Sequence, residues 1–405
     1  MTKVRLGAYV AGALAPALLM TAWPVAAQDL NWAPTTAISL PGGGKIISFD
    51  IGFVDPVIGL YVLADRTNKA VSVVDTASNQ LKAFIPATPP FAGATGNNDT
   101  SGPDGVITVN HRELWVGDGN STVKVIDLFS QQTTHVISTG GANRADELCV
   151  DSRHGVVLVA NDAESPFPFV SFIATGQFGD PTKRYQVLDR ITMDGTVNGG
   201  SGVNTPKATN GIEQCQWDSQ TGKFFINIPE NGGDGTNSKP GVVLEIDPLS
   251  HAILNAFSPP LDSCRGPQGM AIGPSPQILL GCNGTNNANN PTAIIDKFNG
   301  NFVTVPQQSG ADEVDFLNSL GGIYFLARSS AVGANQQLGI ISSQNFSANS
   351  VPTQVAGKGN AHSVAADPVH NQVYVPIPGA VGGATICSSL GGVDANGCIA
   401  VFTPQ

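Results

Sequence analysis

The sequence predicts an all-β fold, a seven-bladed β-propeller of four-stranded antiparallel blades. Three observations predict it. First, the 405 residues include 47 glycines and 28 prolines, and only 13% are charged. Short Val/Ile/Leu runs stand between Gly, Asn, Asp and Pro clusters, and helical i, i+3, i+4 spacing is scarce. Second, a unit of two short strands joined by a tight turn recurs along the chain. Third, a strand-like stretch, "TTAISLP" at residues 35–41, precedes the first unit, while the last unit ends at "CIAVF" without a fourth strand.

Taken in order, the chain opens on a leader. Lys3 and Arg5 are followed by an apolar stretch to about Trp23 and by small residues at Val25–Ala27. Residues 1–27 therefore read as a cleaved signal peptide. No later segment is apolar for long enough to span a bilayer. Residues 28–405 read as one domain with no linker, beginning with the spare strand that completes the seventh blade and hides an open edge.

The clearest repeats are "SFDIGFVDPVIGLYVLAD", "RADELCVDSRHGVVLVAND", "GIEQCQWDSQTGKFFINI" and "NAHSVAADPVHNQVYVPI". Each has a polar residue opening a strand, then an aspartate five residues later at the turn: Asp55, Asp151, Asp218 and Asp367. Looser copies place Val109, Gly273 and Leu317 at that turn position. Third strands end at Asp75, Asp127, Asp247 and Asp296, and fourth strands read "QLKAFIP", "THVIST", "AILNAF" and "FVTVP". The longest gap reads as an insertion, "ESPFPFVSFIATGQFGDPTKRY". Four strands per unit at this period is a propeller blade.

Loss of the leader leaves 18 basic and 31 acidic side chains, a formal charge of −13. Nucleic acid is excluded as a partner, because it needs a basic footprint. The reading is a monomer, periplasmic or secreted, that holds a small-molecule or protein ligand. The six cysteines include no C-x-x-C. Their even number in an exported chain predicts disulfides. Local pairing favours Cys264–Cys282 and Cys387–Cys398, which leaves Cys149–Cys215. "PGGGK" at residues 41–45 lacks the first glycine of a P-loop and reads as a turn, and the loop at residues 230–241 reads as a solvated turn at one face.

The first strand of a blade lines the central channel. The residues that open it are, in blade order, Asp50, Asp104, Asp146, Glu213, Gln268, Asp312 and His362. Glu147 and Glu313 compete for two of those positions. Five carboxylates round one axis repel each other unless they stay protonated or share a cation. Oxygen ligands suit calcium or magnesium, and His362 admits zinc or manganese. All seven residues are candidate ligands to a divalent metal, and a solvated polar channel is the alternative.

The stretches "LYVLADRTNKAVSVVDTAS" and "LWVGDGNSTVKVIDL" resemble the YVTN-type seven-bladed propellers over most of the mature chain. That resemblance implies fold, not function. More locally, "PDGVITVNHRELWVGDGN" is similar to the gluconolactonase/regucalcin-like propellers. It implies that Asp104 binds a catalytic divalent metal and assists proton transfer, with Asp50 as a second carboxylate. Those propellers have six blades, and the asparagine ligand expected on another inner strand is not in place here. Two function classes follow: an exported binding or scaffold propeller, and a metal-dependent hydrolase of lactone or ester type acting at the channel.

Overall fold

Seven four-stranded antiparallel sheets follow one another round a ring in the computed structural model. It describes residues 28–176, 181–197, 203–282, 291–309, 311–328, 337–353, 361–380 and 385–405. The signal peptide expected at residues 1–27 lies outside these. The chain enters on β1 (Trp32–Ile38). Blade one is β2–β5 (Gly52–Asp55, Leu60–Asp65, Ala70–Asp75, Gln80–Pro86), and blade two is β6–β9 (Val106–Val109, Glu113–Asp118, Thr122–Asp127, Gln132–Ser138). Blade three is β10–β13 (Leu148–Asp151, Val156–Asn161, Phe169–Ala174, Val187–Thr192), and blade four is β14–β17 (Cys215–Asp218, Lys223–Ile228, Val242–Ile246, Ile253–Phe257). Blade five is β18–β21 (Pro267–Ile272, Gln277–Cys282, Pro291–Asp296, Phe302–Ser309), and blade six is β22–β25 (Ala311–Leu317, Ile323–Arg328, Gln337–Ser342, Ala348–Pro352). Blade seven is β26–β28 (Ala365–Asp367, Gln372–Pro378, Gly397–Pro404) together with β1.

Composition follows depth. The second strands β3 and β11 read LYVLAD and VVLVAN and are buried throughout, because neighbouring blades cover both faces. The outer strands β5 and β9 carry most of the exposed positions of their blades. Each first strand packs against the first strand of the next blade, and β26 returns to β2. The turn aspartates hold the bend between first and second strands. Asp55 Oδ1 accepts from Val57 N–H at 3.0 Å, Asp151 Oδ1 from Arg153 N–H at 2.8 Å, and Asp367 Oδ1 from Val369 N–H at 2.8 Å.

The closing strand lies where the sequence places it, with slightly different bounds. β1 pairs with β28 from Trp32 opposite Pro404 to Ile38 opposite Ile399. Trp32 is buried and meets Phe325 edge-on at 4.7 Å. Deleting residues 28–38 uncovers the outer edge of β28. The expected result is a lower melting temperature and concentration-dependent association, read by calorimetry and light scattering. An unchanged monodisperse fold would contradict the closing role.

Blade three differs from the sequence reading. The supposed insertion contains its third strand, β12, whose residues are all buried. Its phenylalanines and prolines obscure a strand of ordinary length. The true excursion follows β13, where isolated bridges join Asp194 to Lys207 and Val197 to Asn204. All three expected disulfides are present. Cys149–Cys215 ties β10 to β14 across two blades, while Cys264–Cys282 and Cys387–Cys398 are local. Among the described residues no helix is long and apolar enough to cross a membrane.

Candidate functional site

Backbone register brings the predicted ring together. The N–H groups of Asp50, Asp104, Asp146 and Glu213 donate to second-strand carbonyls of Ala64, Gly117, Ala160 and Asn227 at 2.9, 3.0, 2.8 and 2.9 Å. These four residues therefore hold one position in four blades. Asp50, Asp146, Glu213, Gln268, Asp312 and His362 line a polar cup of about 330 Å³. Asp104 is fully buried and is not among the lining residues.

Two arginines that the sequence reading left out enter the ring. Arg66 follows β3 directly. Its Nη2 donates to Asp50 Oδ2 at 2.5 Å and also to Asp104 Oδ1, its Nε reaches Asp104 Oδ1 at 2.9 Å, and its Nη1 reaches Asn98 Oδ1 at 2.9 Å. Arg144 comes two residues before Asp146. Its Nη2 lies 3.0 Å from Asp146 Oδ2 and 2.5 Å from Asp162 Oδ2. The His362 ring stacks on Phe49 at 4.9 Å, with Nδ1 3.8 Å from both Asp50 Oδ1 and Asp312 Oδ2.

Among the described residues, six carboxyls line the cup against two guanidinium groups. Burial would raise every one of these acids. At Asp50 the opposing charges of Arg66, His362 and Arg144 prevail and hold it below the usual range. At Asp104 burial prevails over Arg66 and pushes the carboxyl up to about 8. Burial also keeps Asp146 well above the ordinary range against the pull of Arg144. Glu213 is raised by burial and by the nearby Asp162 and Asp312 charges, and Asp312 is raised by burial against the pull of His362.

The sequence left Glu147 competing with Asp146, and Glu313 with Asp312. All four line the cup. Strand alternation would send neighbours to opposite faces. It fails here because Asp146 and Glu147 precede β10, and because the pairing of β22 shifts between Ala311 and Val314. Glu147 and Glu313 hydrogen-bond to each other, and burial raises both, Glu313 to about 8. Gln214 reaches from blade four to blade six, its Nε2 donating to Val314 O at 3.1 Å and its Oε1 accepting from Met270 N–H at 2.6 Å. Gly105 and Gly269 permit this closeness, since a Cβ on either would overlap the carbonyl oxygen of Asp146 or Asp312. Beyond this waist is a separate cavity of about 310 Å³, lined by Phe53, Ile107, Leu148, Trp217 and Phe316 among others.

On the other side the cup opens into a mouth of about 680 Å³ lined by Asp99, Asp162, Glu164, Phe167 and Asp234. Asn98, Arg144, Glu213 and Gln268 line both spaces. The loop at residues 230–241 is organised rather than merely solvated. Its buried Glu230 accepts from Thr209 Oγ1 at 2.7 Å, Gly235 N–H at 2.6 Å and Lys239 N–H at 3.1 Å.

The fit of a metal can be tested on this geometry. Asp50, Asp104 and Asp146 each place one oxygen within 4.8 Å of the others, a spacing that could hold an ion. The Arg66 guanidinium, however, bridges Asp50 and Asp104 directly. As they stand, these residues do not leave the pair free for a divalent ion, and we derive no hydrolytic step through one.

The fold and site together define a seven-bladed propeller with an acidic, arginine-braced cup at its axis. No protein-family model and no curated protein sequence matches the chain. Among solved structures, a chain of the "Crystal Structure of Mitotic Checkpoint Complex" superposes with a TM-score of 0.59 at 13% identity, covering 99% of this chain and 98% of that one. At that identity the likeness shows the fold alone.

Proposed function

We propose that this chain is an exported binding protein whose axial cup holds a small cationic solute. The observation that carries this reading is the charge imbalance of the cup, six lining carboxyls against two arginines, at the floor of an open mouth. Such a cup lowers its own repulsion by taking up a cation. The waist at Glu147, Gln214 and Glu313 makes entry and exit by the mouth the natural route. Three disulfides are consistent with an extracellular setting, and the leader read at residues 1–27 supports export.

The testing experiment is calorimetric titration of the mature protein with putrescine at two pH values, in buffers of different ionisation enthalpy. Binding is expected to release protons from the raised carboxyls, so affinity rises with pH. Glu213→Gln/Asp312→Asn is expected to weaken it about tenfold or more. The same titration with calcium and magnesium separates an organic cation from a metal. Absence of heat and of any thermal shift with every cation, in a folded protein, would sink the reading.

A further inference from the structure

We propose that the cavity beyond the waist is a second ligand site, open on the face opposite the mouth, and that it takes a small aromatic amine. Its occupancy is independent of what the cup holds. The cavity is lined by the later part of the first strands and by the turns that follow them, from residues 51–56 in blade one to residues 364–368 in blade seven. The cup residues stand at the other end of the same strands, so the two spaces face opposite ways along the axis.

The walls are aromatic and apolar. Phe53 of blade one, Trp217 of blade four and Phe316 of blade six line the cavity, and all three are half-buried rather than closed into the core. Ile107 of blade two and Leu148 of blade three complete the apolar wall between Phe53 and Trp217. At about 310 Å³ the space takes one ring with a short side chain. Charge narrows the class further. Among the described residues the lining includes no lysine, arginine or histidine, and two carboxyls, Glu147 and Asp315. Glu147 is raised well above its ordinary range by burial and hydrogen-bonds to Glu313, so it meets the cavity uncharged. Asp315, which burial raises to about 6, is ionised at neutral pH. Its Oδ2 accepts from Ala366 N–H at 2.8 Å and its Oδ1 from Phe316 N–H at 2.7 Å. Those bonds hold the carboxylate at the seam of β22 and β26, where Phe316 and Ala366 also line the cavity. No cation pairs with it among the described residues. A carboxylate set in an apolar wall without a counter-charge favours an ammonium group and rejects an anion. The aromatic faces favour the same cation and supply contact for a ring.

The test is a titration of the full mature chain with 2-phenylethylamine, 2-phenylethanol and phenylacetate, which carry the same ring and differ in charge. Trp217 reports binding, because the other tryptophans of the mature chain, Trp32 and Trp115, are buried. The amine is expected to shift the Trp217 emission and to bind about tenfold tighter than the alcohol, with the carboxylate weakest. In Asp315→Asn, checked for folding by its melting curve, the ratio of amine to alcohol affinity is expected to fall below about threefold. If that variant does not fold, the ranking on the parent chain decides alone. The amine signal is expected to persist in excess putrescine, which carries charge but no ring. An alcohol that binds as tightly as the amine, a carboxylate that binds tightest, or no Trp217 response to any probe overturns the proposal. So does displacement of the amine by putrescine, or a folded Asp315→Asn chain that keeps the full ratio.

Discussion

Replacing Arg66 by methionine is expected to destabilise the fold by about 3–5 kcal/mol, the cost of removing one partner from a buried ion pair. The side chain is 6% exposed, and its two carboxylate partners, Asp50 and Asp104, are 13% and 0% exposed. Methionine keeps much of the stem and volume, so the loss reports charge rather than a cavity. Asp50 and Asp104 then repel each other with only Arg144 and His362 opposing them, and Asp104, already raised to about 8, holds its proton to still higher pH. The loss is therefore expected to be largest in alkaline solution and to shrink as pH falls. Arg66→Met/Asp104→Asn removes that repulsion and is expected to recover at least about 1 kcal/mol. Urea denaturation of the parent, both single variants and the double variant measures each corner of the cycle. A loss below about 0.5 kcal/mol for Arg66→Met would show that the bridge is not a structural element of the ring. The same variant tests the metal alternative, because the Arg66 guanidinium no longer bridges Asp50 and Asp104. Calcium or magnesium is expected to stabilise the Arg66→Met chain and to leave the parent unchanged. A parent that takes up one ion per chain would show that Arg66 gives way to it.

The blades were legible in the sequence because their signals are local. A second strand buried on both faces must be apolar throughout, as in "LYVLAD", and the turn before it needs an Asx-type aspartate such as Asp55. The register of Asp50, Asp104, Asp146 and Glu213 follows from those turns, since each lies at a constant distance before its own. The arginines were not legible. Arg66 stands one residue past β3 and Arg144 two residues before Asp146, in connections whose path is set by other blades. Arg144 stands near a channel-facing aspartate, but Arg66 has no such signal, since the neighbouring Asp65 accepts from Asn68 and Ser72 instead. The waist was hidden for another reason. Period-two reasoning gives either Asp146 or Glu147 to the axis, whereas irregular pairing at this edge gives both. Gln214 had no signal at all, because its partners Met270 and Val314 lie in other blades.

Raising the pH from about 5 to about 9 is expected to lower the stability of the unliganded protein by several kcal/mol, with the steepest change between about 4 and 8. The sign follows from the direction of the shifts. A carboxyl whose folded pKa lies above its unfolded one keeps a proton in the fold that it loses on unfolding. Its stabilisation is complete below the unfolded value and disappears as pH rises through the folded one. Asp104 and Glu313 are pushed by burial to about 8 and Asp315 to about 6, and Asp146, Glu147, Glu213 and Asp312 are raised as well. Asp50 is lowered and works in the opposite sense, as does Asp127, held at about 2 mainly by a backbone hydrogen bond from Ser130 and a side-chain bond from Arg112. These groups lose their contribution only in strong acid, so they set an acid limb distinct from the alkaline one. Melting temperature followed across this range should fall on the alkaline side. Glu147→Gln/Glu313→Gln, which keeps a hydrogen bond across the waist while removing both titrating groups, should flatten that fall without altering the acid limb. A curve that stays level to about pH 9, or one that the double variant leaves unchanged, would mean that the waist pair does not hold a proton in the fold. A cation that fills the cup should restore more stability at high pH than at low, because it replaces protons the ring has lost. The alkaline limb measured with and without ligand therefore joins the electrostatics of the fold to the chemistry of its site.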